Sequence, residues 1–100
     1  MNPKLDQISR DLNIPSDELL NRSLLAYLEH ELRLAEEDIA DIRDKYLVAN
    51  RKELEDKIKN KKIASHPAWE DLIAWENTEK YIEKLKSEIQ ELRVEGARRV

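Results

Sequence analysis

Leu25, Leu28, Leu32, Ala35, Ile39, Ile42, Tyr46 and Ala49 follow one another at intervals of 3, 4, 3, 4, 3, 4 and 3 residues. This alternation holds an apolar stripe on one side of an α-helix and suits a seam that faces a second helix. A strand, whose side chains alternate with a period of two, cannot keep such a set on one face. The remaining composition agrees. The chain of 100 residues has one glycine, Gly96, and three prolines, Pro3, Pro15 and Pro67, so it lacks the turn glycines and β-branched runs of a sheet protein. Hydrophobic residues make up 40% and recur with a helical period, which argues against extended disorder. The expected fold class is all-α.

The breakers divide residues 1–100 into four helices within a single helical domain. Leu5, Ile8 and Leu12 share one face of a short helix over 4–12, which Asn13-Ile14-Pro15 ends. Ser16 is the expected N-cap of a long helix over 17–48, with Asp17 and Glu18 set against its positive end. Asn50-Arg51-Lys52-Glu53 resembles a capping box and opens a short basic helix over 51–60. Ser65-His66-Pro67 opens the last long helix, over 67–95, with Gly96 as its expected C-cap. Its distal half carries a second seam, Ile82, Leu85, Ile89 and Leu92. Seven acid-to-base pairs at i, i+4 spacing support these helices: Asp6–Arg10, Glu18–Arg22, Glu29–Arg33, Asp41–Lys45, Glu53–Lys57, Glu55–Lys59 and Glu76–Lys80.

Two long seamed helices joined by about twenty residues fold most simply as a long antiparallel hairpin, in the manner of a coiled coil. A hairpin alone buries little at this size. Around Leu19, Leu20, Leu24 and Tyr27 the first long helix is apolar over most of its circumference, more than one neighbour can cover. These four residues are the expected oligomer interface, and the chain is expected to be a homo-oligomer.

Catalytic chemistry finds little support. The chain has no cysteine, which removes disulfides, thiolate zinc sites and thiol nucleophiles. His30-Glu31 is followed by Leu34 where a zinc-protease helix needs its second histidine. The carboxylate sets Glu37, Asp41, Asp44 and Glu76, Glu79, Glu83 have helical spacing, but no base, nucleophile or glycine-rich phosphate cradle accompanies them. The expectation is a non-enzyme with no catalytic residue, no cofactor and no metal. His66 beside Pro67 reads as a cap or turn residue. Lys57, Lys59, Lys61 and Lys62 form a basic knot that fits a helix carboxyl end better than a phosphate site.

Residues 4–28 have the outline of a helix-turn-helix. Yet only Met1-Asn2-Pro3 precede the first helix, too little for the strand of a ribbon-helix-helix protein, and Asp17 and Glu18 open the second helix where phosphate contacts would help. DNA is therefore a weak candidate for the free protein. The polar start, Met1 to Asp11, does not read as a secretory signal, and the longest apolar run, Leu24 to Leu28, is too short for a membrane span. The expectation is a cytoplasmic protein without a membrane partner.

The most informative stretch is Trp69-Glu70-Asp71-Leu72-Ile73-Ala74-Trp75-Glu76, which holds both tryptophans. If Trp75 continues the seam of Ile82 and Leu85, helical geometry turns Trp69 and Ile73 to the other side. Either the short helix folds back so that Ile58 and Ile63 cover that side, or it is a partner groove anchored by Trp69 and Ile73 and rimmed by Glu70, Asp71 and Glu76.

Ser23-Leu24-x-x-Tyr27-Leu28-x-x-x-Leu32, Lys45-Tyr46, Glu53-Leu54 with Ile58-Lys59, and Trp69-Glu70-Asp71 resemble the small helical antitoxins of archaeal and cyanobacterial toxin–antitoxin modules, whose partner is a TumE-like toxin. The resemblance spans residues 19–92. It implies an antitoxin of a type II module that silences a cognate toxin, one acting on RNA, by direct protein–protein binding. The alternatives from the residues alone are a structural coiled-coil homo-oligomer and a helix-turn-helix transcriptional regulator.

Overall fold

In the computed structural model, which describes residues 2–98, four helices follow in order: α1 (Pro3–Leu12), α2 (Ser16–Tyr46), α3 (Arg51–Lys59) and α4 (Ser65–Arg98). No strand occurs among the described residues. α2 and α4 form the long antiparallel hairpin, α1 packs on α2, and α3 packs on α4. The result is a rod of 60 × 25 × 20 Å.

Helix ends are set by side-chain caps and by left-handed residues that are not glycine. The Asn2 carboxamide accepts from the Lys4 and Leu5 N–H groups, and Pro3 takes the first helical position, where no N–H is needed. Asn13 (φ 56), Leu47 (φ 54) and Lys61 (φ 56) each turn left-handed just after a helix. After α1 and after α3 a Schellman pair closes the end: Ile14 N–H reaches Ser9 O while Asn13 N–H reaches Arg10 O, and Lys62 N–H reaches Lys57 O while Lys61 N–H reaches Ile58 O. The α3 start is a capping box with one arm displaced. Asn50 Oδ1 accepts from Glu53 N–H at 2.9 Å, and the Glu53 carboxylate answers to Ala49 N–H at 2.8 Å instead of Asn50's own.

Several expected boundaries move. α2 ends at Tyr46, not 48, because Leu47 leaves the helix. The seam therefore runs from Leu25 to Tyr46, Ala49 is exposed, and Val48 takes the buried place. Ser16 is the first helical residue and not the cap. Pro15 stands in the cap position without a side-chain bond, and the Ser16 hydroxyl donates to Asp6 at 3.2 Å. His66 has non-helical φ/ψ, so the regular turns of α4 begin at Pro67. At the far end α4 continues through Gly96 to Arg98, so Gly96 is no C-cap. It lies four residues past Leu92, on the seam, where a Cβ would stand 3.2 Å from Asn21 Nδ2.

The register is constant along the hairpin. Asn21 meets Gly96 at the open end, and Tyr46 meets Asp71 at the closed end. The same number of residues separates the two contacts on either helix, so the seams run past each other without a slip. Ala35, Leu85 and Ile89 are buried mid-seam. The main cluster lies at the closed end, where Val48, Leu54, Leu72 and Trp75 are buried with Ile39, Ile42, Tyr46, Ile58 and Ile63 packed against them. α3 thus provides the third layer that the hairpin alone would lack.

Candidate functional site

The α4 stretch that holds both tryptophans divides cleanly. Ala68, Leu72 and Trp75 recur at 4 and 3 and are buried, Trp75 to 2% exposure. Trp69 and Ile73 fall one position off that line and stay 48% and 43% exposed. Ile58 and Ile63 pack against the Leu72 and Trp75 cluster, and they leave Trp69 and Ile73 open.

The carboxylates beside this patch are all engaged within the chain. Glu70 meets His66 Nδ1 at 2.8 Å, and that contact holds its carboxyl below the usual glutamate value. Asp71 accepts from Lys45 Nζ at 2.8 Å and from the Tyr46 hydroxyl, and these bonds hold it below the usual aspartate value. Burial, and then the bond to Asp71, raises the Tyr46 phenol. Glu76 and Glu79 both receive the Arg51 guanidinium, at 3.0 and 2.8 Å, which ties the first residue of α3 to α4. Glu70, Asp71 and Glu76 are therefore all engaged, Asp71 and Glu76 as clamps to other elements and Glu70 within α4. Arg51 and Lys45 hold these acids although nothing in the local sequence marks a partner 25 or more residues away.

A second exposed apolar region lies on α2. Leu20 (46%), Leu24 (45%), Tyr27 (60%) and Leu34 (41%) are open, while Leu19 is half-buried. Tyr81 of α4 adjoins it and donates to Glu31 at 2.8 Å; this bond, with smaller contributions from burial and from neighbouring Glu31 and Tyr27, raises its phenol. Further along, Glu36, Glu37, Asp38, Asp41 and Asp44 are exposed and make no ion pair among the described residues.

The other residues weighed from sequence have local roles. His30 Nδ1 lies 3.1 Å from the Arg33 guanidinium. Lys57 donates to Tyr46 O at 2.9 Å and Lys59 pairs with Glu55, while the Lys61 and Lys62 N–H groups, just past α3, close its end. Among the described residues no three histidine or acidic side chains converge in a way that could hold a metal ion. Among the described residues no helix is long and apolar enough to cross a membrane.

The family model described as "Uncharacterized protein MJ0235 family" matches residues 1–97. The chain belongs to that family. No curated protein and no solved structure matches it. Family membership thus covers all four helices and both exposed regions, and the functional reading rests on the surfaces themselves.

Proposed function

We propose that this chain is a non-enzymatic binding module of the cytoplasm, and that it serves as the antitoxin of a type II toxin–antitoxin module. In this reading it neutralises by direct contact a toxin that acts on RNA. The observation that carries it is the exposure of Trp69 and Ile73 beside a fully formed core. A large aromatic left open on a helix of a heavily charged chain supplies the anchor that protein partners bury. The five carboxylates of α2 from Glu36 to Asp44, which make no ion pair among the described residues, give the rod an acidic flank. Such a flank speeds encounter with a basic, RNA-handling partner more than it adds affinity.

The test is genetic. The reading frame adjoining the gene is expressed alone and together with this chain, and growth and bulk RNA integrity are followed. The proposal expects arrest with RNA loss from the neighbour alone and rescue by co-expression. A harmless neighbour, or arrest that co-expression does not relieve, contradicts it.

A second reading, a structural helical homo-oligomer, draws on a different observation, the open Leu20, Leu24 and Tyr27 on α2. The two readings are compatible, since the patches lie on different helices. A DNA-reading role for α1 and α2 has less in its favour, because Asp17 and Glu18 stand at the amino end of α2.

A further inference from the structure

The monomer exposes more surface than a chain of its mass should. Its accessible area is 7455 Å², against about 5,900 Å² for a compact 11.8 kDa protein by the usual mass scaling. The radius of gyration is 19.6 Å, against about 13 Å for a compact chain of this length. The excess area of roughly 1,500 Å² exceeds the ~800 Å² that each partner of a standard stable complex buries.

The open apolar residues of α2 fall in a line. Leu20, Tyr27 and Leu34 are exposed and stand seven residues apart, so they form one stripe along α2, and Leu24 falls between the first two. Leu20 and Leu34 are equally spaced about Tyr27, so a two-fold axis at Tyr27 sets Leu20 against Leu34 of a second copy, Tyr27 against Tyr27, and Leu24 against the partner's His30. Self-complementarity of this kind is what an interface between identical subunits requires. The flanking chemistry agrees, because Ser23 to Leu28 is free of charge in a chain that is 40% charged. Glu31, which interrupts the stripe, is held by the Tyr81 hydroxyl. Orientation follows from the acids. Side-by-side parallel packing would set all five acids from Glu36 to Asp44 against their own copies, whereas the antiparallel pair sets only Glu36 and Glu37 against acids, Glu18 and Asp17 of the second copy, and Glu18 is already paired with Arg22.

We propose that a second copy of this chain docks antiparallel on the Leu20–Tyr27–Leu34 stripe of α2, making a dimer built on four long helices, two from each copy, with its two-fold axis at Tyr27. The proposal does not depend on the antitoxin reading, and its test uses the purified full chain alone. Sedimentation of the wild type should give twice 11.8 kDa at micromolar concentration. Tyr27→Glu should raise the dissociation constant by about 100-fold or more while helicity is kept, because the side chain is exposed in the monomer. A monomeric wild type, or a Tyr27→Glu chain that dimerises as well as the wild type, overturns the proposal.

Orientation is read by cross-linking, which this cysteine-free chain permits. Tyr27→Cys should oxidise to a covalent dimer. Leu20→Cys mixed with Leu34→Cys should yield cross-linked heterodimers, with little from either variant alone. Efficient cross-linking of Leu20→Cys to itself would mean a parallel pair and would overturn the arrangement. The near-neutral cysteine variants also decide the question should Tyr27→Glu fail to fold.

Discussion

The hydroxyl of Tyr46, the last residue of α2, donates to the carboxylate of Asp71 in the early turns of α4, 25 residues further along the chain. Lys45 reaches the same carboxylate, and Lys57 of α3 donates to the Tyr46 carbonyl. One residue thereby joins three helices at the closed end of the rod.

Removing that hydroxyl should be measurable. Tyr46→Phe keeps the ring but leaves a part-buried carboxylate one donor short, which should cost about 1.5–3 kcal/mol in urea unfolding, as hydrogen bonds to charged groups do. Asp71 is held below its ordinary value by Lys45 and then by Tyr46, so its contribution is present above the unfolded aspartate pKa. It is lost as the pH falls through the lower, folded value. Stability of the wild type should therefore drop below roughly pH 4. Glu55 and Glu70, both lowered, share in that acid limb. Asp71→Asn should be less stable at neutral pH and show a shallower acid limb. An unchanged acid limb would remove Asp71 from this role.

Gly96 lies inside α4, where glycine costs about 1 kcal/mol relative to alanine. A Cβ there would stand 3.2 Å from Asn21 Nδ2, the far end of a rotatable side chain that can give by a few tenths of an ångström. Gly96→Ala should therefore raise the melting temperature, by about 0.5 kcal/mol in stability. Gly96→Leu, whose bulk Asn21 cannot escape, should lower it. Thermal melts of the two variants check the close approach of α2 and α4.

Leu47 holds a left-handed backbone (φ 54) and is 84% exposed, so its side chain gives little in return for the strain. Leu47→Gly should stabilise the chain by about 1 kcal/mol. A destabilised variant would show that the side chain is covered, in the dimer or elsewhere.

Trp69 and Trp75 share a helix and differ in burial. Trp75→Ala opens the cluster of Val48, Leu54 and Leu72 and should cost about 3–5 kcal/mol. Trp69→Ala should stay within about 1 kcal/mol of the wild type, as changes at exposed sites do. Chemical denaturation of the pair gives the comparison directly.

Helix content and the pairing of α2 with α4 were legible because the 3–4 alternation is a local signal that tertiary packing reinforces. The seven expected ion pairs show where such legibility stops. Glu18–Arg22 and Glu55–Lys59 form as expected. Glu29 turns to Arg93, Lys45 to Asp71 and Glu76 to Arg51. Glu53 and Lys57 bind backbone groups, and Asp6 receives Ser16. A local pair on a helix is worth only about 0.2–0.5 kcal/mol, so any well-placed distant partner outcompetes it. The ends of α2 and α4 were hidden for a related reason. Leu47 is an unusual left-handed residue, and the single glycine, which sequence logic places after a helix, is used to let two helices approach.

The exposed candidates were legible as a register argument. Trp69 and Ile73 sit one step off the line of Ala68, Leu72 and Trp75, and the structure leaves them open. Which acids are free was not legible. Lys45-Tyr46 and Asp71, quoted as separate short motifs, meet each other, and Leu54 is fully buried, so much of the resemblance lies in residues that hold the fold.

The central claim is that the chain presents Trp69 and Ile73 to a partner instead of consuming them. Calorimetric titration of the purified chain with the protein from the adjoining reading frame tests it most directly, using the wild type and Trp69→Ala side by side. The account predicts a saturable complex whose affinity falls by about 30-fold or more in Trp69→Ala, as at a hot spot, with the melting temperature of the free variant nearly unchanged. No complex with the wild type, or equal affinity for the two chains, would contradict it.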